Sequence, residues 1–451
     1  MSVVPGVAVV AANTPADRDR VLDLLRLSSL LVVVVGHCLM LTVTVSDGQA
    51  RFGNVLADLP VLQPLTWLLQ VLPLFFFAGA AAGARGLGAG TAWGPWLFRR
   101  TQRLVRPLVY FLAASTVLVL IAGRVLGPGW DRPLAVTNVQ LLWFLGTYLV
   151  VLACVPMLAA VVIDGRRLFA TVAVLVGLTA VVDAVRLNGG PAPLGYLNLL
   201  AWLIPAVLGI GYLRGLLPRR TAAAVAAVVL VVDVLLVALG PYETSMVTVP
   251  GQRLSNLAPP SLLLAGHAVV LCCAAVAAVP WLRRFAQRPR VWWVTAIGNT
   301  GAMTLYLWHM PALLTVIVLG HLAGVDRSGP AHPGFWAQTV VQLGVTLTLT
   351  FVLFLALRGL ENSPLRWWDG AVAPVRGARS ALTVGAVAAA GSAILQATRF
   401  GLTADGWRWF AVAAAALVAA RLLTRPWAVR ASTPAPPAPL SPWTGGAAAS
   451  G

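Results

Sequence analysis

Apolar runs of about twenty residues recur along the whole chain, and they limit its fold more than any other feature. They occupy 22–45, 61–84, 104–126, 138–162, 168–186, 198–217, 221–240, 260–280, 294–320 and 336–358, with two weaker runs at 380–397 and 407–424. A run of this length crosses a bilayer as a helix, which satisfies its own backbone groups where no water can reach them. The runs are continuous rather than alternating, which argues against a β-barrel. Charged residues make up only 10% of the chain, where a soluble protein carries roughly a quarter. The expected fold class is an all-α polytopic membrane protein with about ten core transmembrane helices plus two further C-terminal spans.

The net charge is +18, and all 32 basic residues are arginine. They are spread between the apolar runs rather than gathered in one domain, so nucleic acid is not the expected partner. If the N-terminus is cytoplasmic, 23 arginines fall in inside segments and 8 in outside segments, with Arg26 inside the first run. The positive-inside rule then places both termini in the cytoplasm and the chain in the cell (plasma) membrane. The four cysteines, Cys38, Cys154, Cys272 and Cys273, all lie in apolar runs and form neither a disulfide framework nor a metal-ligand spacing. No cleavable signal is expected at the N-terminus. The chain divides into a cytoplasmic tail (1–20), a main transmembrane domain (21–368), two additional spans (369–430) and a Pro/Ala-rich tail (431–451) expected to be disordered.

The first run, "LLRLSSLLVVVVGHCLM", carries two ionisable groups into hydrocarbon. Arg26 and His37 are eleven residues apart, which is about three full turns, so they share a helix face roughly 16 Å apart along the axis. Asp23 precedes Arg26 at the i, i+3 spacing, where the two charges can neutralise each other. A snorkelling interfacial arginine and a helix–helix hydrogen bond are the bland alternatives. Ionisable groups within a membrane mark functional sites by default, and the shared face strengthens that reading.

A second histidine, His309 in "NTGAMTLYLWHMPALL", lies sixteen residues beyond Trp293, roughly 24 Å deep. His37 is fifteen residues beyond Leu22, roughly 22 Å deep, so the two rings could meet in one cavity. His267 reads as structural, and His321 and His332 have no metal-site spacing; no metal is expected. In "FRRTQRLVRP", Arg99, Arg100, Arg103 and Arg106 crowd the start of the third run, with Arg100, Arg103 and Arg106 forming a stripe. Ordinary membrane anchoring needs fewer arginines, and this density suits phosphate binding as well. Asp233 has no evident partner and reads as a polar contact inside the bundle. "GARGLGAG" follows a membrane span rather than a strand, so it reads as a loop and not a nucleotide site.

Taken in order, several patches resemble acyltransferase family 3, membrane enzymes that move acyl groups from acyl-CoA, mostly onto sugar hydroxyls. These are "RVLDLLRLSSLLVVVVGHCLM" with its Arg-x10-His spacing, "LPLFFFAGAAAG", "FRRTQRLVRP", "LWFLGTYLV", "NTGAMTLYLWHMP" and "LRGLENSPLRWW". They cover about residues 18–368. The departures are the two last spans, Trp308 after Tyr306–Leu307, a threonine (Thr304 or Thr300) in place of the usual serine, and a wider Glu361–Pro364 spacing.

The resemblance implies acyl-CoA, acetyl-CoA first of all, as co-substrate used from the cytoplasm, with an arginine rim (Arg99, Arg100, Arg103, Arg106) for its phosphates. It implies catalytic roles for His37, Arg26, Asp23 and His309, with Tyr306 and Glu361 as further candidates. A buried neutral imidazole can act as general base on an acceptor hydroxyl or take the acyl group itself. For Glu361, a salt bridge to Arg358 or Arg366 is the slightly preferred reading. The implied acceptor is a carbohydrate, glycolipid or small molecule; membrane lipid surrounds the protein, and a separate extracytoplasmic esterase-like partner is one arrangement. The rival class is a transporter of a polar glycan or metabolite, against which stand the absence of an inverted repeat and of paired broken helices.

Overall fold

The computed structural model describes residues 5–88, 90–325 and 329–426, so the expected tail 431–451 lies outside the described residues. Eleven helices among the described residues are long and apolar enough to cross a membrane, and a bent pair supplies a twelfth. The protein is an all-α polytopic membrane protein.

A short helix α1 (Val7–Ala12) leads to α2 (Arg20–Met40). Asp19 caps α2 by accepting from the Val21 and Leu22 amides. The first apolar run does not stay helical to residue 45. At Leu41 the chain becomes β1 (Leu41–Ser46), paired antiparallel with β2 (Gln49–Asn54). The cause is local: "LTVTVS" alternates β-branched residues, and Asp47 and Gly48 both take positive φ, 52° and 74°, as a two-residue hairpin turn requires.

The second run is also broken. Helix α3 (Val55–Asp58), a 3-10 segment Pro60–Leu65 and α4 (Thr66–Leu69) precede α5 (Leu72–Arg85). Pro60, Pro64 and Pro73 remove amide donors at these breaks. Helix α6 (Trp93–Leu126) starts eleven residues before the expected 104 and carries the arginine stripe within its own first turns. Then come α7 (Pro128–Val139), α8 (Leu142–Val161), α9 (Gly165–Leu187), a 3-10 segment Ala192–Trp202, α10 (Leu203–Leu213) and α11 (Arg219–Ala238).

Helices α12 (Leu262–Ala277) and α13 (Val279–Ala286) form the pair, bent by 63°. The ninth run is not one helix: α14 (Pro289–Thr300) and α15 (Ala302–Leu322) separate at Gly301. There the ring of Phe354 occupies the space a Cβ would need. Helix α14 lies against α1 and the amino end of α2, where Trp292 and Trp293 donate to Thr14 Oγ1 and Pro5 O. Depth counted from Trp293 along a continuous helix is therefore not the true depth of His309.

Helix α16 (Phe335–Asn362) is followed by α17 (Gly377–Phe400) and α18 (Ala404–Leu423). The two last spans are integral to the bundle, because α17 packs on α8 and α6. Small residues allow it: Gly391 faces Gly146, and the Gly94 amide donates to Ser380 Oγ at 2.8 Å. Helices α9, α11 and α16 lie outside and present exposed Val and Leu, as lipid-facing helices do.

One buried polar knot ties α9 to the connection before α12. Asp183 accepts from Arg186 at 2.9 Å, Asn198 at 2.8 Å, the Tyr242 hydroxyl at 3.2 Å and the Leu262 amide at 2.7 Å. Burial, reinforced by the charge and hydrogen bond of Asp183, raises the pKa of the Tyr242 hydroxyl and keeps it a donor. Asp233 has neither carboxylate oxygen hydrogen-bonded and sits over Gly266 of α12.

Candidate active site

The two intramembrane histidines meet. His37 Nδ1 lies 3.1 Å from His309 Nε2, with the rings inclined by 11°. His309 Nδ1 lies 3.0 Å from the Leu305 carbonyl one turn back. These partners assign the protons of the neutral rings. A carbonyl only accepts, so His309 Nδ1 carries hydrogen and its Nε2 is the acceptor. His37 Nδ1 then donates to it, and His37 Nε2 holds a free lone pair. His309 is fully buried, while His37 lines a cavity.

Two chambers meet beside α2. The first, about 350 Å³, is walled by hydrocarbon and includes His37, Ser29 and Tyr306. The second, about 400 Å³, is lined by Arg100, Arg103, Asn299 and Glu361. Arg26 and Tyr148, with Leu104, Ala302 and Met303, border both. The shared face expected for Arg26 and His37 is thus present, with Arg26 at the junction.

Arg26 makes no ion pair among the described residues. Its guanidinium lies 5.6 Å from the centre of the Phe75 ring, and its Nε is buried without a hydrogen-bond partner. The expected Asp23–Arg26 pair does not form. Arg18 reaches Asp23 from the segment before α2, at 2.6 Å, while Arg26 turns inward to the chambers. Asp23 lines neither chamber.

The arginine stripe divides by environment. Arg100 and Arg103 line the second chamber, with Arg100 stacked 4.0 Å over the Trp96 ring. Arg99 is exposed and lines neither chamber. Arg106 is engaged by the linker before α17: its Nε and Nη2 donate to Asp369 at 2.9 and 2.5 Å, and its Nη1 donates to the Glu361 carbonyl. Arg106 is therefore part of a bidentate ion pair and not an open phosphate ligand. One carboxylate oxygen of Glu361 is buried without a hydrogen-bond partner at the wall of the arginine chamber. The Tyr306 hydroxyl donates to the Leu141 carbonyl at 2.5 Å, so its proton is committed to the backbone.

The sequence reading passed over Tyr148, Asn299 and Asp369. Tyr148 sits within the "LWFLGTYLV" patch. Its ring packs among Phe75, Phe76 and Phe144, and its hydroxyl fits only because residue 79 of α5 is glycine. Asn299 donates to the Asp23 carbonyl at 2.9 Å, which pins α14 to α2. Asp369 reads in the sequence as an ordinary loop carboxylate, yet it pairs with Arg106 and accepts from the Leu365 amide at 2.7 Å.

Residues 19–356 match the acyltransferase domain family. No curated protein and no solved structure matches the chain. The matched region contains Arg26, His37, the arginine stripe, Tyr148 and His309, and ends before Glu361, α17 and α18. The chain belongs to acyltransferase family 3 and is a membrane acyltransferase.

Proposed function

We propose that the protein is an O-acyltransferase that takes an acyl group, acetyl in the first place, from acyl-CoA and places it on an acceptor hydroxyl at His37. The arginine chamber faces the cytoplasm in this reading, as the arginine distribution indicates. Arg100 and Arg103 hold the phosphates of CoA, with Arg26 at the neck through which the thioester reaches His37. The acceptor is a carbohydrate hydroxyl or a hydroxyl of another envelope or secondary metabolite.

The observation that carries this reading is the chain from His37 through His309 to the Leu305 carbonyl. It leaves the His37 Nε2 lone pair for the acceptor. His37 Nε2 takes the proton as the acceptor oxygen attacks the thioester carbonyl and forms the new C–O bond. The C–S bond then breaks, and the departing sulfur receives the proton from His37. Arg26, unpaired by any carboxylate among the described residues, stabilises negative charge on the carbonyl oxygen between these steps.

The test is His37→Ala, assayed by release of free CoA thiol and by acylated product at equal membrane abundance. Loss of a general base lowers transfer by about 10²- to 10⁴-fold. A variant that keeps more than about a tenth of wild-type transfer removes His37 from the chemistry.

A further inference from the structure

The chamber next to His37 is built for hydrocarbon. Its free polar atoms are few: Ser29 Oγ and Arg26 Nε lack partners near the junction that Tyr148 borders, and His37 offers its Nε2 farther along α2. Three other polar side chains of the lining already have backbone partners. Thr66 Oγ1 donates to the Gln63 carbonyl and accepts from the Met246 amide, Gln70 donates to the Met246 carbonyl, and the Tyr306 hydroxyl donates to the Leu141 carbonyl. The remaining wall includes Leu30, Leu56, Leu62, Val247 and Leu257.

A sugar ring placed along this wall would leave most of its hydroxyls unpaired, at a cost of about 1–3 kcal/mol each. An apolar body meets no such penalty and gains from leaving water. The rim points the same way. Leu65, Leu69 and Trp336 line the chamber and are 50%, 43% and 54% exposed, within segments that cross the membrane. The rim on that side is therefore apolar where it reaches the surface, which suits an opening toward lipid.

We infer that the acceptor is a hydroxyl carried on an apolar body, which enters the His37 chamber from the lipid side and lies against the wall formed by residues 55–69 and 247–257. This rests on the acyl-transfer reading above. That reading requires only a hydroxyl at His37; the polarity of the wall selects what carries the hydroxyl. It moves the expected acceptor away from a free sugar.

The experiment uses the purified full chain with acetyl-CoA and primary alcohols from butanol to decanol, with methyl glucoside as the polar acceptor. Ester product and free CoA thiol are both measured. The expected kcat/KM rises about fourfold per added methylene until the chamber is full, and methyl glucoside falls well below octanol. Leu56→Gln is expected to flatten this dependence while acetyl-CoA binding stays as in the wild type.

A second measurement does not depend on turnover. An alkanol bearing an aliphatic diazirine is photolysed on the protein, and the label is expected within 55–70, competed by octanol and not by methyl glucoside. Methyl glucoside used as well as octanol overturns the inference and leaves the acyl-transfer reading intact. So does label spread over the outer helices without competition. A preference for octanoyl-CoA over acetyl-CoA with no alcohol chain-length dependence also overturns it, because the chamber then belongs to the chain of the donor. No binding and no cleavage of any acyl-CoA would instead remove the underlying reading.

Discussion

His309→Phe tests the proton chain at the site. The wild-type contact is a neutral hydrogen bond, His37 Nδ1–H to His309 Nε2, at 3.1 Å. When His37 takes the proton of the acceptor, this bond becomes charge-assisted. Charged hydrogen bonds contribute about 1.5–3 kcal/mol, against about 0.5–1.5 kcal/mol for neutral ones. The difference, about 1–1.5 kcal/mol, is present only in the transition state, so it appears in kcat. His309→Phe should lower kcat by roughly 5- to 13-fold with little change in either Michaelis constant. His309→Gln should retain most of the rate, because its amide oxygen can accept from His37 Nδ1. In a His37→Ala background, His309→Phe should cost nothing further, since its effect runs through His37. The assay is steady-state acyl transfer by purified protein at equal abundance. Multiplicative losses in the double variant would show that His309 acts independently, and unchanged kcat in His309→Phe would refute the chain altogether.

Arg103→Gln should raise the Michaelis constant for acyl-CoA by roughly 10- to 150-fold, as one lost charge-assisted phosphate contact predicts, whereas Arg99→Gln should leave it unchanged. Arg106→Gln should instead lower yield and thermal stability, because it strands Asp369 in a buried ion pair. Asp183→Ala leaves three side-chain donors and one amide without their acceptor and should cost about 3–5 kcal/mol, read as a lower melting midpoint, with Asp183→Asn milder. A reporter fused after Arg290 should read cytoplasmic and one in 326–332 external; the reverse pattern would turn the arginine chamber away from CoA.

The sequence alone determined the class of fold, because bilayer thickness and backbone hydrogen bonding leave long apolar runs few alternatives. It also placed Arg26 and His37 on one face, since helical periodicity is local and needs no partner helix. The hairpin after α2 was legible as well, in the alternation of "LTVTVS" and the Asp47–Gly48 turn, but an apolar window that runs past residue 40 conceals it. Which side chains meet was another matter. Asp23 has Arg26 at helical spacing yet binds Arg18, and Arg106 belongs to the stripe yet binds Asp369, 263 residues away. Spacing along one helix lists neighbours on that helix only, and a guanidinium chooses among all carboxylates the packing brings within reach. His37 and His309 do meet, 272 residues apart, although α15 starts after Gly301 and not at Trp293. Their contact comes from how α2 and α15 pack, and no count of residues along either helix contains it. The polarity of the chamber beside His37 is likewise a tertiary property, assembled from α2, the 55–69 segment, the 247–257 connection and α16.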